Sequence, residues 1–195
     1  MKQGKIAESV LKRSIFKQLH LKRPDVLLAA GIGEDCAAFA VAEDEVAVIS
    51  ADPVIWEDSL DGRCAVHANL NDLAAGGAEP VGLMLTALLP PEIEEAQMRQ
   101  MVQMIAQECE PLQVQILGGH TEVTDAVKCP VVSIAAVGKA KKGMLSTTTG
   151  AKPGDDIVVT KWIALEATAK LARSRREALL SRYCLLYTSP SPRDV

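Results

Sequence analysis

Four short polar clusters hold the residues that could do chemistry in this chain. Gly31-Ile32-Gly33-Glu34-Asp35-Cys36 precedes the first expected strand, and Ser50-Ala51-Asp52-Pro53 follows the second. Asn69-Leu70-Asn71-Asp72 lies inside a long helical pattern, and Gly118-Gly119-His120-Thr121-Glu122 follows the fourth strand. Asp35, Asp52 and Asp72 can converge only through the fold. If they do, their mutual repulsion calls for a divalent cation. Hard oxygen donors point to magnesium, which is commonly held by a few carboxylates together with substrate phosphates.

Asp72 stands among Ala65, Val66, Ala68, Leu70, Leu73, Ala74 and Ala75. A carboxylate buried in such a helix must be paired or bind a metal, because an unpaired charge is costly there. Capping a neighbouring backbone or pairing with Arg63 would satisfy it equally well. Gly118-Gly119 leaves backbone amides able to approach an anion, although a single Gly-Gly pair is more often an ordinary turn. His120 could contact a nucleotide or act as a base, and it could equally be a polar loop histidine without a role. Cys36 reads better as a small buried thiol than as a nucleophile, and His20 as a solvated residue at a helix end. The chain has no GxxxxGK[ST], and Gly31 to Cys36 fails GxGxxG at its last position, so neither a P-loop nor a dinucleotide fingerprint is present.

The elements that must position these clusters follow from apolar spacing. Ile6, Val10, Leu11, Ile15 and Leu19 predict an amphipathic helix over residues 5–20. The runs 37–41 and 46–50 predict a hairpin around Ala42-Glu43-Asp44-Glu45. A helix is expected from about Gly62 to Ala75, capped by Asp61 and closed by Gly76-Gly77. Residues 81–89 form an apolar strand broken only by Thr86 and stopped by Pro90-Pro91. Glu92, Glu94 and Glu95 favour a helix start through the dipole, and that helix runs to about Cys109 with Met98, Met101 and Met104 as packing. Strands are expected over 114–117 and 131–137. The stretch Ser146 to Asp156 reads as a boundary loop, followed by a strand over 157–160 and a helix start over 164–173. Strands mixed with two long helices predict an α+β layer.

Composition narrows the function. The 195 residues carry 21 Lys plus Arg against 25 Asp plus Glu, a formal charge of −4. An acidic chain is a poor default nucleic-acid binder, and 3% aromatics leave little for base stacking. No apolar stretch approaches the ~20 residues of a spanning helix, and the basic start is not followed by a signal-peptide core. Five cysteines without a CxxC pair argue against zinc and against a disulfide framework, and they fit a reducing cytoplasm.

The clusters, in this order, resemble the PurM-like, AIR synthase-related family of ATP-dependent enzymes. Its members include AIR synthetase, selenophosphate synthetase, thiamine-monophosphate kinase and the hydrogenase-maturation protein HypE. The strings GIGEDCAAF, ISADPVI, AVHANLNDLAAGGAEPVGLMLT, GGHTEVTDAV and TTTGAKPGDDIVVTKWIALEATA carry the likeness over about Gly31 to Ala169. It is nearest to the HypE-like branch. The resemblance implies an N-terminal ATP-binding domain over residues 1–150, with a mixed four-stranded sheet, helices on one face and a barrel shared with a second copy. It implies Asp35 and Asp72 as magnesium ligands and Asp52 as a nucleotide or metal contact. Gly118, Gly119 and His120, with Thr121 beside them, would line the ATP phosphates.

The implied activity is ATP- and magnesium-dependent activation of a carbonyl or amide oxygen, as in a HypE-like carbamoyl dehydratase acting with a hydrogenase-maturation carbamoyltransferase. AIR synthetase or thiamine-monophosphate kinase activity, or a non-catalytic nucleotide-binding dimer, are the alternatives. His120 stands where thiamine-monophosphate kinases usually carry Asp. The first 30 residues have no Cys to match the selenophosphate synthetase nucleophile. The family's second domain is expected after Lys161, so residues 151–183 read as its truncated start. Residues 184–195 (CLLYTSPSPRDV) read as a non-native tail, and Cys184 is therefore not the terminal cysteine of HypE proteins.

Overall fold

The computed structural model describes residues 3–32, 36–56, 60–146 and 152–156. In chain order the elements are β1 (Gly4–Lys5), α1 (Glu8–Val10), β2 (Val26–Leu28), β3 (Ala38–Phe39) and β4 (Glu45–Ile55). Then come α2 (Leu60–Ala75), β5 (Glu79–Leu89), α3 (Glu95–Cys109), β6 (Gln115–Val123) and β7 (Val131–Lys141). One sheet has the order β1-β6-β5-β7-β4; β2 and β3 form a separate ribbon. The pairing β5–β6 is parallel, and the other pairings in the main sheet are antiparallel. This is the expected α+β layer: four long strands, the two-residue β1, and α2 and α3 together on one face.

The two helices form for different reasons. Helix α2 is rich in alanine and ends in a left-handed Gly77 at φ 75°. There the Ala78 amide reaches the Leu73 carbonyl at 2.9 Å and the Gly77 amide the Ala74 carbonyl at 3.0 Å, which satisfies two terminal carbonyls. Helix α3 starts with a reciprocal capping box between Glu94 and Gln97. It buries Met98, Met101, Val102, Ile105, Ala106 and Cys109 along one stripe, so Met98 and Met101 are packing residues, with Met104 partly buried beside them. The core between helices and sheet includes Val66, Leu70, Leu73, Leu83, Leu89 and Ile134.

Several local expectations are corrected. Residues 37–41 do not pair with β4; Ala38–Phe39 pairs instead with Val26–Leu28. Strand β4 pairs on one edge, along its whole length, with β7, from Glu45↔Lys141 to Ile55↔Val131. The N-terminal helix is helical only from Glu8 to Gln18, passing from α through a π turn at Leu11–Ile15 to a 3-10 turn. Residues 4 and 5 pair with β6 rather than opening the helix. Arg13 and Ser14 then tie this segment to α3 through Glu95, at 2.7 and 2.6 Å. His20 is exposed just past that helical segment, as expected.

The following segment is latched to one end of the sheet. Arg23 holds Asp25 through two hydrogen bonds of 2.8 Å, and Lys139 on β7 reaches Asp25 at 3.0 Å. Among the described residues, no helix is long and apolar enough to cross a membrane. The strand and helix expected over 157–173, and the tail over 184–195, lie outside the described residues.

Candidate functional site

Strand β4 and helix α2 build the site. Alternation along β4 sends Ser50 and Asp52 toward α2 and leaves Ile49, Ala51 and Pro53 on the opposite face. The Ser50 hydroxyl donates to Asp72 Oδ2 at 2.6 Å. The Asp52 amide donates to Asn69 Oδ1 at 3.0 Å, and Asn69 Nδ2 donates to the Ala65 carbonyl at 2.9 Å. Asn69 and Asp72 are three positions apart on one helix, and so lie on neighbouring parts of one face. The Asp72 carboxylate comes within hydrogen-bonding reach of Asp52. Partial withdrawal from water, and then the neighbouring Asp72 carboxylate, push the Asp52 carboxyl above its ordinary range.

Two of the three expected carboxylates therefore converge. Like charges held this close are relieved by a shared proton or by a cation. The donor set is two carboxylates with a hydroxyl alongside, all hard oxygens, and it fits magnesium better than a softer metal. Among the described residues no group of three His, Cys, Asp or Glu side chains gathers to hold an ion. Asp35, the expected partner ligand, lies outside the described residues.

The expectation for Asp72 is corrected in one respect. It is exposed rather than buried, because α2 runs along the outer strand of the sheet and presents this position at the rim. Arg63 does not pair with it; the guanidinium goes to Glu108 on α3 at 3.1 Å. The same carboxylate lies 3.4 Å from Nε2 of the buried His67. Cys36 is exposed, not a buried thiol. Among the described residues the buried cysteine is Cys109, whose thiol is pushed up to about 12, chiefly by desolvation.

The glycine cluster is not a loop. Gly118, Gly119, His120 and Thr121 lie within β6, and Ser50 to Pro53 lie within β4. In both places the short apolar runs continue as strand through polar residues, because inter-strand pairing rather than hydrophobicity holds them. The register Asp52↔Ile134, Ile134↔Leu85, Leu85↔Gly119 sets Asp52 and Gly119 at one level of the sheet. Three strand spacings, about 14 Å, separate them. His120 alternates to the face away from the helices, where Nε2 lies 3.2 Å from Glu122 Oε2. Within one chain the structure thus joins Asp52 to Asp72 and leaves residues 118–121 elsewhere on the same sheet.

Gly119 has a structural reason of its own. Its φ is 148°, and a Cβ there would stand 1.8 Å from the Leu85 carbonyl oxygen. Sequence reasoning missed Ser50, Asn69 and Glu122 as partners of the candidate residues. The signal available for two of them was the two-residue period of a strand, which places Ser50 beside Asp52 and Glu122 beside His120.

A mixed sheet covered on one face by α2 and α3 is the architecture expected of a PurM-like N-terminal domain. Residues 33–140, more than half of the chain, match the family model "AIR synthase related protein, N-terminal domain", and the chain belongs to that family. Carbamoyl dehydratase HypE of Cupriavidus necator is 30% identical over 154 residues, which are 75% of this chain and 43% of that protein. A crystal structure of thiamine-monophosphate kinase from Stenotrophomonas maltophilia K279a is similar with a TM-score of 0.68 and 27% identity, covering 88% of this chain and 54% of that one. A crystal structure of HypE in complex with ATP shares the fold, with a TM-score of 0.63 at 18% identity over 75% of this chain and 43% of that one. The chain spans about half the length of the curated relatives it matches.

Proposed function

We propose that this chain binds magnesium-ATP and forms the nucleotide-binding part of an enzyme that activates a carbonyl or amide oxygen by phosphoryl transfer. The observation that carries this reading is the pair of hydrogen bonds that bring Asp52 and Asp72 together where β4 meets α2, Ser50 to Asp72 and the Asp52 amide to Asn69. Asp52 and Asp72 would hold the ion, with Asp35 as the third carboxylate the family likeness supplies. Magnesium there would neutralise phosphate charge as it develops during transfer. Ser50 holds Asp72 by its Oδ2. Gly118, Gly119, His120 and Thr121 would meet the nucleotide on another part of the sheet. The likeness to carbamoyl dehydratase HypE, and to a HypE structure that holds ATP, supports a HypE-like dehydratase with a hydrogenase-maturation partner. Phosphorylation of thiamine monophosphate is the second reading, favoured by the 27% identity to the kinase structure.

The same reading includes a homodimer. The sheet face away from the helices carries Ile49 at 67% exposure and Ile55 at 59%. Met84 and Leu88 continue that face on β5. A second copy laid on it would withdraw these side chains from water.

Calorimetric titration with ATP, with and without magnesium, tests the nucleotide reading. The parent binds ATP more tightly with magnesium present. Asp72→Asn and Asp52→Asn lose most of that magnesium-dependent gain while remaining folded. Equal affinities in parent and variants would overturn the assignment of these carboxylates.

A further inference from the structure

From the hydrogen bonds of Asn69 we infer that it is the positioning residue of the carboxylate pair, acting through the backbone of β4 rather than by touching an ion. This rests on the reading of Asp52 and Asp72 as cation ligands. Asn69 is fully buried, and both ends of its amide are engaged. Nδ2 donates to the Ala65 carbonyl one turn back on α2 at 2.9 Å, which fixes the side chain's direction. Oδ1 accepts the Asp52 amide at 3.0 Å, which fixes a point on β4.

The consequence follows from where the two carboxylates hang. Asp52 is the residue whose amide is held, and Asp72 is three positions along the helix that holds it. One buried side chain thus sets the distance between the two backbones that carry the charges. The pair needs such a clamp, because like charges on adjacent elements push those elements apart until a cation binds. Strand β4 also needs it. Among the described residues it is the outer strand of the sheet, paired on one side to β7. An amide turned away from β7 would otherwise meet water, and the strand could drift from the helix. Ser50 restrains a side chain, Asp72, whereas Asn69 restrains the main chain. Groups that orient metal ligands in this indirect way are worth about 10- to 100-fold in metal affinity.

The test uses the whole chain with manganese(II) as the probe, its free concentration followed by electron paramagnetic resonance well below the melting temperature. Asn69→Leu preserves the buried volume and removes both hydrogen bonds, and Asn69→Ser is a smaller change at the same place. Both variants weaken manganese binding by about tenfold or more, with the far-ultraviolet circular dichroism of the parent. Asp72→Asn serves as the reference for a lost ligand. If Asp72→Asn loses manganese and the Asn69 variants keep parental affinity with only a lower melting temperature, Asn69 is merely structural and the inference is overturned. If Asp72→Asn also keeps parental affinity, the cation site itself is wrong.

Hydrogen exchange on the unsubstituted protein gives a measurement that does not depend on how the variants fold. The Asp52 amide exchanges slowly, like a core amide. Exchange as fast as a free edge amide would show that the clamp does not hold.

Discussion

The backbone of Gly119 lies so close to that of Leu85 that a methyl group on Gly119 would stand 1.8 Å from the Leu85 carbonyl oxygen. The neighbouring Gly118 is different: a Cβ there would meet only the end of the Met84 side chain, at 3.4 Å. Gly119→Ala must therefore open the parallel β5–β6 pairing or force a disallowed φ, and it costs about 3 kcal/mol of stability. Gly118→Ala costs less than about 1 kcal/mol, because a flexible methionine can move aside. Urea midpoints of the two variants check the contrast. Equal midpoints would mean that the close approach at Gly119 is not a constraint on the fold.

Glu95 makes the fold sensitive to acid. Its carboxyl is held down to about 2, first by the hydrogen bond from Arg13, then by Ser14 and Arg99. A carboxylate with a depressed folded-state value contributes stability that is present above its unfolded value and lost as pH falls toward the folded one. The window for Glu95 therefore runs from about 4.5 down to about 2. Glu95→Gln lowers the melting temperature at pH 6 and flattens its fall across that window. Parallel curves for parent and variant between pH 5 and pH 2 would contradict the assignment.

Asp25 holds two cations at once, Arg23 and Lys139, and all three side chains are mostly buried, at 13–18% exposure. Arg23 first, and Lys139 after it, keep the Asp25 carboxyl well below the usual carboxylate range. Asp25→Ala leaves both cations without this partner and destabilises the chain by about 2–3 kcal/mol. Asp25→Ala combined with Lys139→Met recovers part of the loss, since one cation no longer lacks a partner. A denaturant midpoint for the double variant no higher than that of Asp25→Ala would argue against a shared network.

Ile49 and Ile55 separate assembly from folding. Both are exposed in the single chain, so Ile49→Glu with Ile55→Glu leaves the monomer's core intact. Sedimentation velocity at micromolar concentration shows a dimer for the parent and a monomer for the double variant, with unchanged circular dichroism. A monomeric parent would remove the sheet-face dimer from the proposed function.

Much of the architecture was legible in the sequence. The helix read over 62–75 from its closing Gly76-Gly77, and the one read over 92–109 from its acidic start and apolar spacing, lie close to the observed helices, because end signals and a buried stripe are visible in one dimension. The four polar clusters and the family resemblance were legible for the same reason: residue type and order survive without coordinates. Strand lengths were not. Polar Ser50-Ala-Asp-Pro and Gly118-Gly-His-Thr read as loops by composition, yet β4 and β6 run through them, since a strand is held by partners far away in the chain. The expected hairpin between 37–41 and β4 fails likewise, because each run takes a partner distant from that turn: β7 for β4, and Val26–Leu28 for Ala38–Phe39.

The site divides the same way. Sequence alone nominated Asp52 and Asp72 as carboxylates that could share a cation, and it placed Asp72 inside a helix. Only the tertiary structure decided that a buried Asn69 would tie that helix to the backbone of Asp52, that Ser50 would hold Asp72, and that Gly119 would lie against the backbone of Leu85. Those are contacts between residues separated by 17, 22 and 34 positions. Side-chain chemistry is local and can be read along the chain. The distances that turn it into a site depend on how helix and strand pack, and no local spacing encodes them.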